Sequence, residues 1–298
     1  MKPHDVEIVL PTYNGAKYLG GLLDSLAAQT YRDFTLITYD DGSADDSIRI
    51  VDSYCDRISI LRIANPDRDN MGASASFAHL LSQCSGDCIM LCDQDDIWEP
   101  HKVEKGRDAM KTMQKNHGDV PLLFFSDLAI IGADGSTIAP SFNKYHRFDL
   151  YRIGDPYYVC LKNPAPGCSM ILNRLAVQAS LPMESGAVMH DWWIIIITRL
   201  LGAVGYSREP WIRYRKHSSN TMGPIYDPPR PMFQLPESIG RTLRAHQNNI
   251  IQGQQAFRRC GRRFSIARYF LCLVKTRYLN SRPRSGDERP NPTPASLH

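Results

Sequence analysis

From Val6 onward, short apolar runs alternate with longer amphipathic stretches. Val6-Glu7-Ile8-Val9-Leu10 predicts a strand stopped by Pro11, and Pro11-Thr12-Tyr13-Asn14-Gly15 supplies turn chemistry. Leu19, Leu22, Leu23 and Leu26 fall on one face of a helix over about residues 16–28. A second strand over 34–39 leads into Asp40-Asp41-Gly42-Ser43 and a polar helix start at 44–47. A third strand covers 58–63, and Asn70-Met71-Gly72 opens a helix to about Gln83. A fourth strand, 87–92, runs into Asp93-Gln94-Asp95-Asp96-Ile97-Trp98. A helix over about 100–115 and a fifth strand, 122–125, follow.

Strands alternating with helices predict an α/β fold with a parallel sheet and right-handed crossovers. Ligands bind such sheets outside the carboxyl ends of the strands. The loops after the first, second and fourth strands are the three polar motifs above, so the pattern gathers them on one edge. No Gly-x-Gly-x-x-Gly follows the first strand and no Gly-Lys-Ser/Thr occurs, which argues against dinucleotide dehydrogenases and P-loop enzymes. After residue 126 the alternation breaks. Residues 129–138 predict a hairpin around Ala133-Asp134-Gly135, 140–165 a long segment lining a cleft, and 167–172 a strand rejoining the sheet. A helix opens at 190–193 and runs to about Leu201, and 211–215 forms a last strand.

Asp93, Asp95 and Asp96 crowd three carboxylates into four residues, and a bound divalent cation is one relief for their repulsion. The plain alternative is a solvated turn in which Asp96 caps the next helix. Asp191 likewise reads as a general base or as a helix cap.

The net charge of +4, with 43% hydrophobic and 22% charged residues, is ordinary for a globular protein. Its distribution is not. Residues 238–286 contain no Asp or Glu but many Arg. That stretch predicts two basic amphipathic helices over 237–280, behind a Pro-rich linker at 224–236 and ahead of a disordered tail at 281–298. Such helices either meet an anionic membrane surface or pack on the body with an Arg face in water. No aromatic readout module accompanies the charge, so no nucleic-acid partner is expected. The eight cysteines form no Cys-x-x-Cys pair and read as reduced packing residues. The N-terminus has no signal-peptide pattern, and the longest apolar stretch, 192–201, contains Arg199 and is too short for a bilayer. A cytoplasmic protein, peripheral on the inner face of the membrane, is the expectation.

In this order the motifs resemble glycosyltransferase family 2 over about residues 5–222. The resemblance rests on Val9-Leu10-Pro11-Thr12-Tyr13-Asn14, Gln29-Thr30-Tyr31-Arg32-Asp33-Phe34, Tyr39-Asp40-Asp41-Gly42-Ser43, Asn70-Met71-Gly72, Asp93-Gln94-Asp95-Asp96-Ile97-Trp98 and His190-Asp191-Trp192-Trp193. It implies a GT-A fold, a Rossmann-like mixed sheet flanked by helices, over residues 1–223. Ser126-Asp127-Leu128 and Tyr214-Arg215-Lys216-His217 with Asn220 are most similar to rhamnosyltransferase-type members. The resemblance implies an inverting transfer, plausible for rhamnose from dTDP-rhamnose, to a saccharide or lipid-linked acceptor in surface polysaccharide synthesis. A UDP-hexose donor or a non-catalytic nucleotide-binding module are the alternatives.

The implied roles follow residue by residue. Pro11 and Tyr13 line the base pocket, and Asp41 accepts the imide N–H of the base. Asn70 and Gly72 lie beside the nucleotide, although Ser76 stands where the family often has Asn or Arg. Asp93 faces the ribose or sugar, and Asp95 binds Mg²⁺ or Mn²⁺, with His217 as a second ligand. Asp191 is the general base, Trp192 an acceptor or sugar contact, and Asp96 mostly a helix cap.

Overall fold

The computed structural model describes residues 5–66, 70–218, 220 and 237–281. The first half runs β1 (Val6–Thr12), α1 (Ala16–Ala27), β2 (Phe34–Asp40), α2 (Ser47–Asp52), β3 (Ile60–Ile63), α3 (Ala73–Gln83), β4 (Cys88–Leu91), β5 (Ile97–Trp98) and α4 (Lys102–His117). The second runs β6 (Leu122–Ile131), β7 (Thr137–Ala139), α5 (Phe142–Tyr145), α6 (Pro156–Leu161), β8 (Met170–Leu172), α7 (Arg174–Ser180), α8 (His190–Leu201), β9 (Ala203–Arg215), α9 (Glu237–Arg259) and α10 (Ile266–Ser281). Its strands join one mixed sheet in the order β3-β2-β1-β4-β8-β6-β9-β5, with β7 on β6.

β1 to β4 are parallel, as the alternation predicts, while β8 inserts antiparallel between β4 and β6. Successive residues of the central strands serve opposite faces. Ile8, Leu10 and Met90 pack with Leu19, Leu22 and Leu23 of α1, whereas Val9, Ile89 and Leu91 pack with Phe77 of α3 and Trp193 of α8.

Pro11 does not end the first strand, which continues to Thr12. Val9 offers its carbonyl to Cys92, the residue after β4, so Pro11, two residues on, faces the same side, where β4 has already ended. The missing N–H therefore breaks no ladder bond.

Asp96 is not a helix cap. Ile97–Trp98 forms a short strand antiparallel to β9, and the residue flanking α4 is His101. The segment 140–165 does not line a cleft either. It folds into α5, a single 3-10 turn and α6, and Tyr157 to Leu161 are all buried in the core. Trp192 and Trp193 are both core residues, their indole N–H groups held by the carbonyls of Val159 at 2.6 Å and Ser180 at 2.9 Å. This corrects Trp192 as an acceptor contact, because its ring and its only donor are both committed inside.

The basic helices pack on the body. Arg259 donates to the carbonyls of Ala179 and Pro182, Arg152 to Thr276, and Ser265 N–H to the Tyr157 hydroxyl. Ala256, Phe257, Tyr269 and Cys272 join the core. The linker at 224–236 and the tail beyond 281 lie outside the described residues. No helix among the described residues is long and apolar enough to cross a membrane.

Candidate active site

The ends of β1 and β2 are tied together before any ligand is considered. Asn14 and Gly15 donate their N–H groups to the hydroxyls of Ser43 (2.9 Å) and Ser47 (2.8 Å), and Ala44 N–H returns to the Asn14 side chain at 2.9 Å. Asp40 accepts from the Thr12 hydroxyl and from both the N–H and hydroxyl of Ser43. Asp41, almost fully buried, reaches across to the start of α3 and accepts the Met71 and Gly72 N–H groups, both at 2.9 Å. Each Asp41 oxygen keeps a lone pair for one further donor.

Gly72 adopts φ 83° and ψ 160°, a conformation essentially reserved for glycine. Gly72→Ala is therefore expected to cost about 1–3 kcal/mol of stability, read by chemical denaturation. An unchanged value would show that the turn relaxes freely. Ser76 is buried and donates to the Gly72 carbonyl at 3.0 Å, so it supports the turn.

The loop after β4 splits its carboxylates between two environments. Gln94 clamps it to β1, accepting Tyr13 N–H and donating to the Tyr13 carbonyl, both at 2.9 Å. A Cβ on Gly15 would lie 2.2 Å from the Gln94 side-chain oxygen, so the clamp needs glycine there. Asp95 faces the cleft, its Oδ2 2.7 Å from His217 Nε2 and 3.2 Å from the Asn220 amide nitrogen. Arg215 holds this corner, donating its Nε to the Asp95 carbonyl and its N–H to Asp96 Oδ1, each at 2.9 Å.

Asp96 turns inward. It is fully buried beside Cys168 and Lys102, and burial followed by the Asp95 and Asp93 charges raises its carboxyl well above the usual range. Lys102 lies over the Trp98 ring at 3.1 Å, its ammonium lowered to about 8 by burial. Asp93 stands between the two environments. It is pushed up to about 7 by burial, then by Asp95 and Asp191.

Asp191 sits in the first turn of α8, not at its cap, which is Met189. Its Oδ2 accepts Gly167 N–H at 3.1 Å and its Oδ1 accepts Trp192 N–H at 2.6 Å. Burial raises the carboxyl to about 6, and the bonds from Trp192, Gly167 and Asn163 limit the rise. Beside it His190 is buried, stacked on Phe77 at 4.1 Å, with neither ring nitrogen hydrogen-bonded.

These groups share one cleft of about 740 Å³ at the carboxyl edge of the sheet. Pro11, Tyr13, Asp41, Asn70 and Gly72 line one part, and Asp93, Asp95, Asp191 and His217 the other. Every anticipated site residue except Trp192 is there. Gln94, Cys168 and an unpartnered His190 carried no assigned role in the sequence. Gln94 had a signal, since an amide between two loop carboxylates is suited to holding a neighbouring backbone. The sequence distance of Cys168 from Asp96 left none. For a divalent cation, the Asp95 carboxylate and His217 imidazole converge, an oxygen and nitrogen pair that fits Mn²⁺ and, through the carboxylate, Mg²⁺. Asn220 donates its amide nitrogen to Asp95 and accepts the His217 backbone N–H at its oxygen, and so positions the pair.

Comparison with known proteins places this geometry. Residues 7–122 match the family described as Glycosyl transferase family 2. An uncharacterized glycosyltransferase of Nostoc sp. is 25% identical over 227 residues, covering 72% of this chain and 66% of the relative. The chain thus spans just under two thirds of the length of the curated relatives it matches. Among solved structures, Staphylococcus aureus TarS 1–349 in complex with UDP-GlcNAc superposes with TM-score 0.57 at 17% identity, covering 91% of this chain and 71% of that one. Mannosyltransferase PcManGT from Pyrobaculum calidifontis, in complex with GDP-Man and Mn²⁺, gives 0.51 at 12% identity, covering 94% and 79%. Residues 7–122 thus match the glycosyl transferase family 2 model, and the chain has the GT-A fold of the structures it superposes on.

Proposed function

We propose that the protein is an inverting, metal-dependent glycosyltransferase that moves a sugar from a pyrimidine nucleoside diphosphate to a hydroxyl of a saccharide or lipid-linked saccharide. The observation that carries this is the single cleft in which Asp41, the Asp95–His217 pair and Asp191 occur together. Asp41 has capacity for the imide N–H of the base, with Pro11 and Tyr13 beside it. Asp93 is placed for the ribose or sugar. Asp95 and His217 would hold Mn²⁺ or Mg²⁺, which when bound neutralises charge on the departing diphosphate. Asp191 takes the acceptor proton as that oxygen bonds to the anomeric carbon and the anomeric C–O bond to the nucleoside diphosphate breaks. One displacement with one base inverts the anomeric centre.

For the donor, the motif resemblance favours dTDP-rhamnose and a role in surface polysaccharide synthesis. The fold likeness to TarS with UDP-GlcNAc favours a UDP-hexose instead. Thermal shift with dTDP and UDP, each with and without Mn²⁺, separates them. We expect a stabilisation for one nucleotide that grows with Mn²⁺, and slow hydrolysis of its sugar in the absence of acceptor. Stabilisation without hydrolysis or transfer would leave a nucleotide-binding module, and no stabilisation by either would remove the donor assignment. The working place is the cytoplasmic side of an anionic membrane, where lipid-linked acceptors are displayed.

A further inference from the structure

α10 has two apolar faces, and among the described residues only one packs on the body. Tyr269, Cys272 and Thr276, spaced three and four apart, are buried against the body. On the other side Ile266, Phe270 and Val274 recur every four residues and, with Leu271, form a continuous stripe. Their exposures are 49%, 47%, 63% and 54% in the order named. Large aliphatic and aromatic side chains in such a row are not the scattered apolar residues of an ordinary surface. Arg268 and Lys275 of α10 are exposed beside the stripe, and Arg262 and Arg263, also exposed, lie in the turn that leads into the helix.

We propose that this outward face of α10 is a docking surface for an anionic lipid bilayer, which it meets lying in the interface plane. The proposal rests on the glycosyltransferase reading only for its purpose, the delivery of lipid-linked acceptors. Charge selects the occupant. A second copy docking stripe to stripe about a two-fold axis would bring basic rim against basic rim, and residues 238–286 offer no acid to offset them. Anionic headgroups complement the rim while acyl chains receive Phe270, Leu271 and Val274. α9 ties this helix to the edge of the cleft: its His246 lies 2.8 Å from the Tyr269 hydroxyl of α10, and its Gln252 side-chain oxygen accepts Val188 N–H at 2.8 Å, three residues before Asp191.

The test is co-sedimentation of the full chain with vesicles of phosphatidylcholine alone or mixed with phosphatidylglycerol. Binding is expected only to the mixed vesicles and should fall by about tenfold or more in Phe270→Ser/Val274→Ser and in Arg262→Glu/Arg263→Glu. Because these side chains are exposed, both variants should keep the parent's thermal midpoint, and nucleotide stabilisation in solution should be unchanged. Absence of wild-type binding to phosphatidylglycerol, or binding unaffected by the stripe variant, overturns the proposal. So does a wild-type dimer in light scattering that becomes monomeric when the stripe is polar, which would assign the face to a second copy. Loss of nucleotide binding in every form would count against the donor reading and leave the vesicle result standing.

Discussion

Asp191→Asn is expected to lower kcat for transfer by about three orders of magnitude, within the range of a positioned general base. The amide keeps one oxygen for Gly167 N–H, so the loop before β8 stays anchored, while the bond from Trp192 N–H to the other carboxylate oxygen is lost together with proton acceptance. Nucleotide affinity should stay within about twofold, since the role proposed for Asp191 concerns the acceptor and not the nucleotide. The pH profile gives a second readout. Burial raises the Asp191 carboxyl to about 6, and the base works only when ionised, so wild-type kcat should fall as pH drops through about 6. The variant's residual rate should lack that limb. Stability should move the other way. With the carboxyl raised from 3.8 in the unfolded chain, its ionisation opposes folding progressively as pH climbs from about 4 to 6, so asparagine should not lower the thermal midpoint at pH 7. Normal turnover by Asp191→Asn would sink the base assignment.

Asp95→Asn should be comparably damaging, through a different signature. A cation clamp on a transferring group supplies several kcal/mol, so its loss corresponds to a rate decrease of about a thousandfold. The variant should lose the Mn²⁺-dependent part of nucleotide stabilisation and the sensitivity to chelator, while metal-free nucleotide binding persists. Asp95 touches His217 and Asn220, which arrive from beyond β9, so His217→Gln should show the same signature in weaker form. Full chelator-sensitive activity in Asp95→Asn would place the cation elsewhere.

What the sequence made legible follows from how far each signal reaches. The strands from β1 to β4 and the helices between them announce themselves through local periodicity, and the loops after them through runs of polar residues. The edge on which Asp41 and Asp95 meet follows from parallel topology alone, whereas Asp191 reaches it from the start of α8, after the antiparallel β8. Long-range pairing was not legible. Asp96 looks like a helix cap because its neighbours are cap-like, yet its burial comes from Arg215, more than a hundred residues away, which takes one of its oxygens and draws Ile97–Trp98 into the sheet. Trp192 and Trp193 are equally ambiguous in one dimension, since a tryptophan at a helix start serves a sugar or a core equally well. Only the Val159 and Ser180 carbonyls decide. Residues 140–165 read as a cleft lining because Tyr, Pro, Arg and Lys dominate them, but α9 and α10 give those rings something to pack on.

The antiparallel insertion of β8 has a wider meaning for how such a chain can diversify. Everything assigned to the nucleotide lies before residue 99 apart from the closing corner at 215–220, and everything around the base lies between Asn163 and Asp191. These two territories touch in the sheet through one strand of three residues, whose ladder partner in β4 is only Ile89 and Met90. Outside the sheet they meet again where His190 stacks on Phe77 and donates its backbone N–H to Ser74, so substitutions on the acceptor side that spare β8 and this contact have little route to the donor side. A lineage can explore new acceptors by drift in one territory while the other continues to hold the same activated sugar.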